Sequence, residues 1–174
     1  VVAGAPVKGS WWGHPQGNLM YNLSHELEDQ EDVLALKLVN KKMTYVHKRH
    51  WDALFSIATS GESWQTDKLT TAQKTLLKSV QAKGELRADS AHFKISPSEV
   101  GKLAGKLEER LLVLSESVHT DSGKHVRLMR DWKSALRSKN HKPNKLDLSR
   151  AFAHFDLVRA ELPAVKFPWD KRRS

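Results

Sequence analysis

Residues 96–107 read Ser96-Pro97-Ser98-Glu99-Val100-Gly101-Lys102-Leu103-Ala104-Gly105-Lys106-Leu107, and this stretch decides the fold. Ser96 is a helix N-cap, Pro97 takes the first helical position where its missing N–H costs nothing, and Glu99 completes a capping box. Val100, Leu103, Ala104, Leu107 and Leu111 recur at helical spacing and form one apolar stripe. Beyond it the period drops to two. Leu112, Leu114 and Val118 alternate with polar residues, Asp121-Ser122-Gly123 supplies a turn, and Val126 and Leu128 resume the alternation. Upstream, Leu69, Ala72, Leu76, Leu77 and Val80 mark a helix that Gly84 stops. Glu85 to Arg87 is long enough for a short strand, and Asp89 is placed to cap a brief second helix. Helix, short strand, helix, capped helix and hairpin is the order of a winged helix-turn-helix, whose third helix enters a DNA groove.

With its stripe inward, the capped helix turns Ser98, Lys102, Gly105, Lys106 and Glu109 outward, with Gly101 at the edge. Each glycine costs the helix roughly 1 kcal/mol relative to Ala, but on an outer face it allows another backbone to come close. A phosphodiester chain beside Lys102 and Lys106 fits that opening. The arc has no Arg, Asn or Gln for bidentate base reading, which predicts weak sequence preference. On the wing, Lys124, His125 and Arg127 are the expected backbone contacts. His119 and His125 flank the turn near Asp121, yet hairpins carry scattered histidines far more often than metal sites, so no metal and no cofactor is expected.

The totals agree with a basic DNA-binding protein. The chain has 174 residues, 39% hydrophobic and 28% charged, with a formal net charge of +9 and no Cys. That composition describes a globular protein, excludes a disulfide framework, and suits a reducing compartment. No apolar run is long enough to cross a bilayer, and no leader pattern is present. A cytoplasmic, bacterial-style protein with a polyanionic partner is therefore expected, and no membrane.

Residues 1–10 read as a loose tail, followed by the adjacent Trp11 and Trp12, one facing inward to seal the terminus. Leu19, Met20, Leu23 and Leu27 mark a helix over 17–29 whose acidic end is expected to fray. Residues 33–39 and 42–48 predict a hairpin around a two-residue Asn40-Lys41 turn. That pairs Leu34 with His47, Leu36 with Tyr45 and Leu38 with Met43, and puts Tyr45 on the buried face. Trp51, Leu54, Phe55 and Ala58 continue as a helix, and 60–68 reads as a connection. His47 and His50 read as surface histidines. Asp131 caps a short helix through Trp132, Ala135 and Leu136. Arg137 to Lys145 is a basic loop. Asp147 caps a last helix whose stripe (Leu148, Ala151, Phe152, Phe155, Val158, Leu162) needs a partner, either the N-terminal sheet or a second subunit in a homodimer. Lys171-Arg172-Arg173 reads as a mobile end.

The capped helix, Leu111-Leu112-Val113-Leu114 and the wing ending at Trp132 resemble the winged-helix units of bacterial AlkZ-type DNA glycosylases. The whole chain, with Ser10-Trp11-Trp12-Gly13-His14-Pro15 and Thr44-Tyr45-Val46-His47-Lys48, resembles small bacterial winged-helix proteins. The glycosylase resemblance implies a catalytic Gln-x-Asp pair, which Gln65-Thr66-Asp67 matches in letters. Those two are the only catalytic candidates, and they fall in the connection, so a non-enzyme is the preferred reading.

The expected architecture is α+β: an αββα unit (1–68), a winged helix-turn-helix (69–137), and a basic loop, bracing helix and tail (138–174). The expected function is non-catalytic binding of double-stranded DNA. A glycosylase-like repair enzyme and a protein-interaction module are the alternatives.

Overall fold

A computed structural model describes residues 13–120 and 123–172, so Trp11, Trp12, Asp121 and Arg173 lie outside the described residues. The fold is mixed α+β with two small antiparallel sheets. The chain begins with α1 (Gly17–Asp29), β1 (Val33–Lys37), β2 (Met43–His47) and α2 (Trp51–Ala58). Then come α3 (Ser63–Thr66), α4 (Thr71–Lys83), β3 (Glu85–Arg87) and α5 (Pro97–Glu108). The rest is β4 (Leu114–His119), β5 (His125–Arg130), α6 (Trp132–Ser138) and α7 (Leu148–Glu161). β1 pairs with β2, and the second sheet runs β3-β5-β4.

The first hairpin corrects the expected register by one residue. Asn40 and Lys41 do form the turn, with φ of 51° and 58° and Lys42 N–H donating to the Val39 carbonyl at 2.8 Å. Leu38 is an extra residue, near helical at φ −99° and ψ −61°, and acts as a β-bulge. The strands therefore pair Leu34 with Val46, Ala35 with Tyr45 and Leu36 with Thr44. A one-residue slip sends one strand's side chains to the other face. Val46 joins Leu34 and Leu36 in the core, while Tyr45 is half-buried and donates its hydroxyl to Glu28 of α1 at 3.2 Å. Burial of Leu38, which is 2% exposed, accounts for the bulge.

Two clusters of apolar side chains fill the interior. One joins Leu34, Leu36, Leu38 and Val46 to α2, α6 and α7; the other packs α4, α5 and Met129 of β5. α6 belongs to the first cluster through Trp132, Ala135 and Leu136, and so does Leu114 of β4. Hence the two parts share a packed boundary.

Several local expectations change with tertiary context. Asp89 caps no helix: it holds Arg87 through two hydrogen bonds of 3.0 and 2.7 Å, and 88–95 forms turns. The acidic end of α1 is tied down, because Lys139 Nζ donates to the Glu28 and Gln30 carbonyls at 3.2 and 2.8 Å. The α7 stripe packs chiefly on α2: Ala151, Phe152 and Phe155 are buried in the cluster that also holds Leu34, Leu36, Leu38 and Val46 of the hairpin, while Leu162 stays 58% exposed.

After Pro163 the chain returns to the core. Val165, Phe167 and Trp169 are buried, and Asn40 exchanges two hydrogen bonds with the Lys166 backbone at 2.8 and 3.1 Å. Phe167 stacks on Trp169 with ring centroids 4.7 Å apart. Burying each such side chain contributes roughly 1.5–3 kcal/mol, and no periodicity in the sequence marks these three residues as core. His50, read as a surface residue, bonds His154 of α7 at 2.7 Å. Among the described residues, no helix is long and apolar enough to cross a membrane.

Candidate nucleic-acid interface

α5 starts where its sequence says it should. Ser96 Oγ accepts from Glu99 N–H at 3.3 Å, and Glu99 Oε2 accepts from Ser96 N–H at 3.0 Å. The Ser96 hydroxyl and amide hold the Glu99 carboxyl below the usual carboxylate range. With the start fixed, Val100, Ala104 and Leu107 are buried while Ser98, Lys102 and Lys106 are exposed. A Cβ added at Gly101 would meet nothing within 4 Å, but one at Gly105, which was expected to face outward, would lie 3.9 Å from Arg127 Nη1. The opening beside the lysines is therefore at Gly101 and not at Gly105.

Acidic residues at the end of α5 limit the charge of this face. Lys106 Nζ lies 3.3 Å from Glu109, which Lys41 also reaches at 3.4 Å. Burial alone would raise the Glu109 carboxyl, but the hydrogen bond from Lys106 and the charges of Lys41 and Lys106 outweigh it and hold it low.

The hairpin tip is closed by Thr120 N–H to the Lys124 carbonyl and Gly123 N–H to the Thr120 carbonyl, both at 2.8 Å. Gly123 sits at φ 75°, the left-handed region that glycine enters without strain. Lys124 and His125 are exposed beside a groove of about 570 Å³ that Pro97 of α5 and Arg87 also line. The structure thus brings the hairpin tip to the start of α5. Arg87 was not singled out from the sequence, because only the β3–β5 pairing carries it there.

Arg127 is placed differently from expectation. Its Nη1 donates to Glu108 Oε1 at 2.8 Å and to the Gly101 carbonyl at 3.1 Å, so it straps β5 to α5 rather than reaching from the tip. Glu108 also takes Lys37 at 3.3 Å.

Gln65 and Asp67 do not form a pair. Gln65 is 0% exposed, and its side chain bonds Ser60, Gly61, Ala58 and Arg110, whereas Asp67 is exposed. The segment 60–68, read as a bare connection, contains α3 and is anchored by this buried amide.

A larger cleft of about 660 Å³ lies between the first hairpin and β4–β5. Its cations are engaged: Lys37 and Arg127 pair with Glu108, Arg130 pairs with Glu85 and Glu116, and Lys139 bonds the Glu28 and Gln30 carbonyls. An anion gains little there. Among the described residues, no group of three or more His, Cys, Asp or Glu could hold a metal ion. No family model matches the chain, and neither does any curated protein or any solved structure.

Proposed function

We propose that this chain binds double-stranded DNA without chemistry, using α5 and the β4–β5 hairpin as a winged helix-turn-helix. The observation that carries the reading is the exposure of Lys102 and Lys106 on one face of α5, with Lys124 at a hairpin tip beside the start of that helix. The order α4, β3, α5, β4, β5 and the β3-β5-β4 sheet support it. So does the net charge of +9. The departure is the turn segment where a second helix would stand. Lys106 must exchange Glu109 for a phosphate, and Arg127 contributes by holding α5 rather than by touching DNA. A glycosylase-like reading gains nothing from a Gln65 that is sealed from solvent.

Three lysine–phosphate contacts would give a slope of about −3 in log affinity against log salt. The test is a titration on random duplex DNA at several salt concentrations. Replacing Lys102 and Lys106 by Ala should weaken binding to all sequences alike and flatten the slope by about 2, and Lys124→Ala by about 1. Arg127→Ala should cost stability without changing the slope. Unchanged affinity and slope in the folded double-lysine variant would remove α5 from the DNA surface.

A further inference from the structure

The β4–β5 hairpin carries two imidazoles that the DNA reading does not use as a pair. His119 and His125 are direct cross-strand partners on the rung nearest the turn. Their ring centroids are 4.0 Å apart with 53° between the planes, and both side chains are exposed. We propose that His119 and His125 form a two-imidazole chelating site for a borderline divalent transition metal: Cu²⁺, Ni²⁺ or Zn²⁺.

The geometry supports this in three ways. Directly opposite residues in an antiparallel pair have Cβ atoms about 4.5–5.5 Å apart, a spacing from which two imidazoles reach one ion at about 2.0–2.1 Å. The rung is held by the turn hydrogen bonds from Thr120 to Lys124 and from Gly123 to Thr120, so little ordering is left for the metal to impose. Ser117 Oγ lies 3.3 Å from His125 Nδ1. In the tautomer where Nδ1–H donates to that hydroxyl, the Nε2 lone pair is left for the ion, the arrangement that outer partners give metal-binding histidines.

The chain has no Cys to compete as a softer ligand. The other close pair, His50 and His154, is less available because its ring nitrogens bond each other at 2.7 Å. The remaining coordination positions belong to water, which makes this an open site. Neutral imidazole nitrogen suits Cu²⁺, Ni²⁺ and Zn²⁺ and not Mg²⁺ or Ca²⁺, and affinity should follow Cu²⁺ > Ni²⁺ > Zn²⁺.

The test titrates the full chain, without DNA, with each metal salt in a non-coordinating buffer, read by calorimetry and by histidine ring resonances. One saturable ion per chain, in that order of affinity and with Mg²⁺ inactive, is the expected result. His119→Ala and His125→Ala should each abolish chelation, Ser117→Ala should weaken it about tenfold, and His25→Ala, on exposed α1, should leave it intact. Circular dichroism verifies that each variant is folded. The proposal fails if the native chain shows no saturable binding, or if a folded His119→Ala/His125→Ala variant binds as the native chain does. Because DNA is absent, the result is independent of the DNA reading.

Discussion

Gln65 and Arg110 each bind the other's main chain. Gln65 Nε2 donates to the Arg110 carbonyl at 3.3 Å, and Arg110 Nη1 donates to the carbonyls of Gln65 and Trp64 at 3.2 and 2.7 Å. Gln65 Nε2 also reaches the Ala58 carbonyl at 2.8 Å, and its oxygen accepts from Ser60 and Gly61 at 3.0 Å. One buried amide therefore ties the end of α2, the helix α3 and the end of α5.

Truncating that amide leaves buried donors and acceptors without partners, each costing about 1–3 kcal/mol. Gln65→Ala is expected to lower unfolding stability by about 3 kcal/mol, read from the urea midpoint, while the exposed Asp67→Asn should stay within about 0.5 kcal/mol. Equal midpoints for the two variants would contradict the structural role.

Leu111 closes α5 in an unusual way. It lies at φ 56° yet is 1% exposed. Leu112 N–H reaches the Leu107 carbonyl and Leu111 N–H the Glu108 carbonyl, both at 2.9 Å. That is a Schellman end in which glycine is the usual residue. Trp132 Nε1 donates to the Leu111 carbonyl at 2.6 Å, fixing the corner between the two cores. Leu111→Ala should cost about 2–5 kcal/mol by emptying a buried site. Leu111→Gly should cost no more than that, since it relieves a left-handed backbone worth about 1–2 kcal/mol. A glycine variant clearly less stable than the alanine variant in thermal melts would show that the backbone stores no such strain.

His50 and His154 couple the start of α2 to α7. Burial, then the neighbouring His154, Arg49 and His47, hold the His50 imidazole below its ordinary value. Arg49 Nε donates to His50 Nε2 at 2.9 Å, so the Nδ1 proton points to His154 Nε2 at 2.7 Å. An unfolded histidine titrates near about 6.5. Below that value the unfolded chain binds the proton that folded His50 refuses, so the unfolded state gains as pH falls. This contribution to stability is full above about 6.5 and is lost as pH falls through the lowered folded value. Thermal melts between about pH 8 and 5 should show a smaller acid loss in His50→Leu than in the native chain. Superimposable profiles would sink the assignment.

Much of the secondary structure was determined by sequence alone, because its signals act over three or four residues. Ser96, Pro97 and Glu99 start α5, Asp131 and Asp147 start α6 and α7, Gly84 ends α4, and each does so in the structure. Asn40 and Lys41 turn the first hairpin for the same local reason. Which residues of α5 face outward also follows from its cap and stripe, so Lys102 and Lys106 were legible at once.

Tertiary structure decided the rest. Leu38 becomes a bulge because the core accepts its side chain, and that shifts every pair in the hairpin. Arg127 turns to Glu108 and Gly101 because β5 runs behind α5, a relation no spacing along the chain contains. Gln65 is buried by Arg110, 45 residues away, and the Lys166 backbone meets Asn40 across 126 residues. A cap is satisfied within one helical turn, so its residues declare it. Burial and partner choice depend on which distant segments the packed cores bring together, and single side chains do not encode that until the chain has folded.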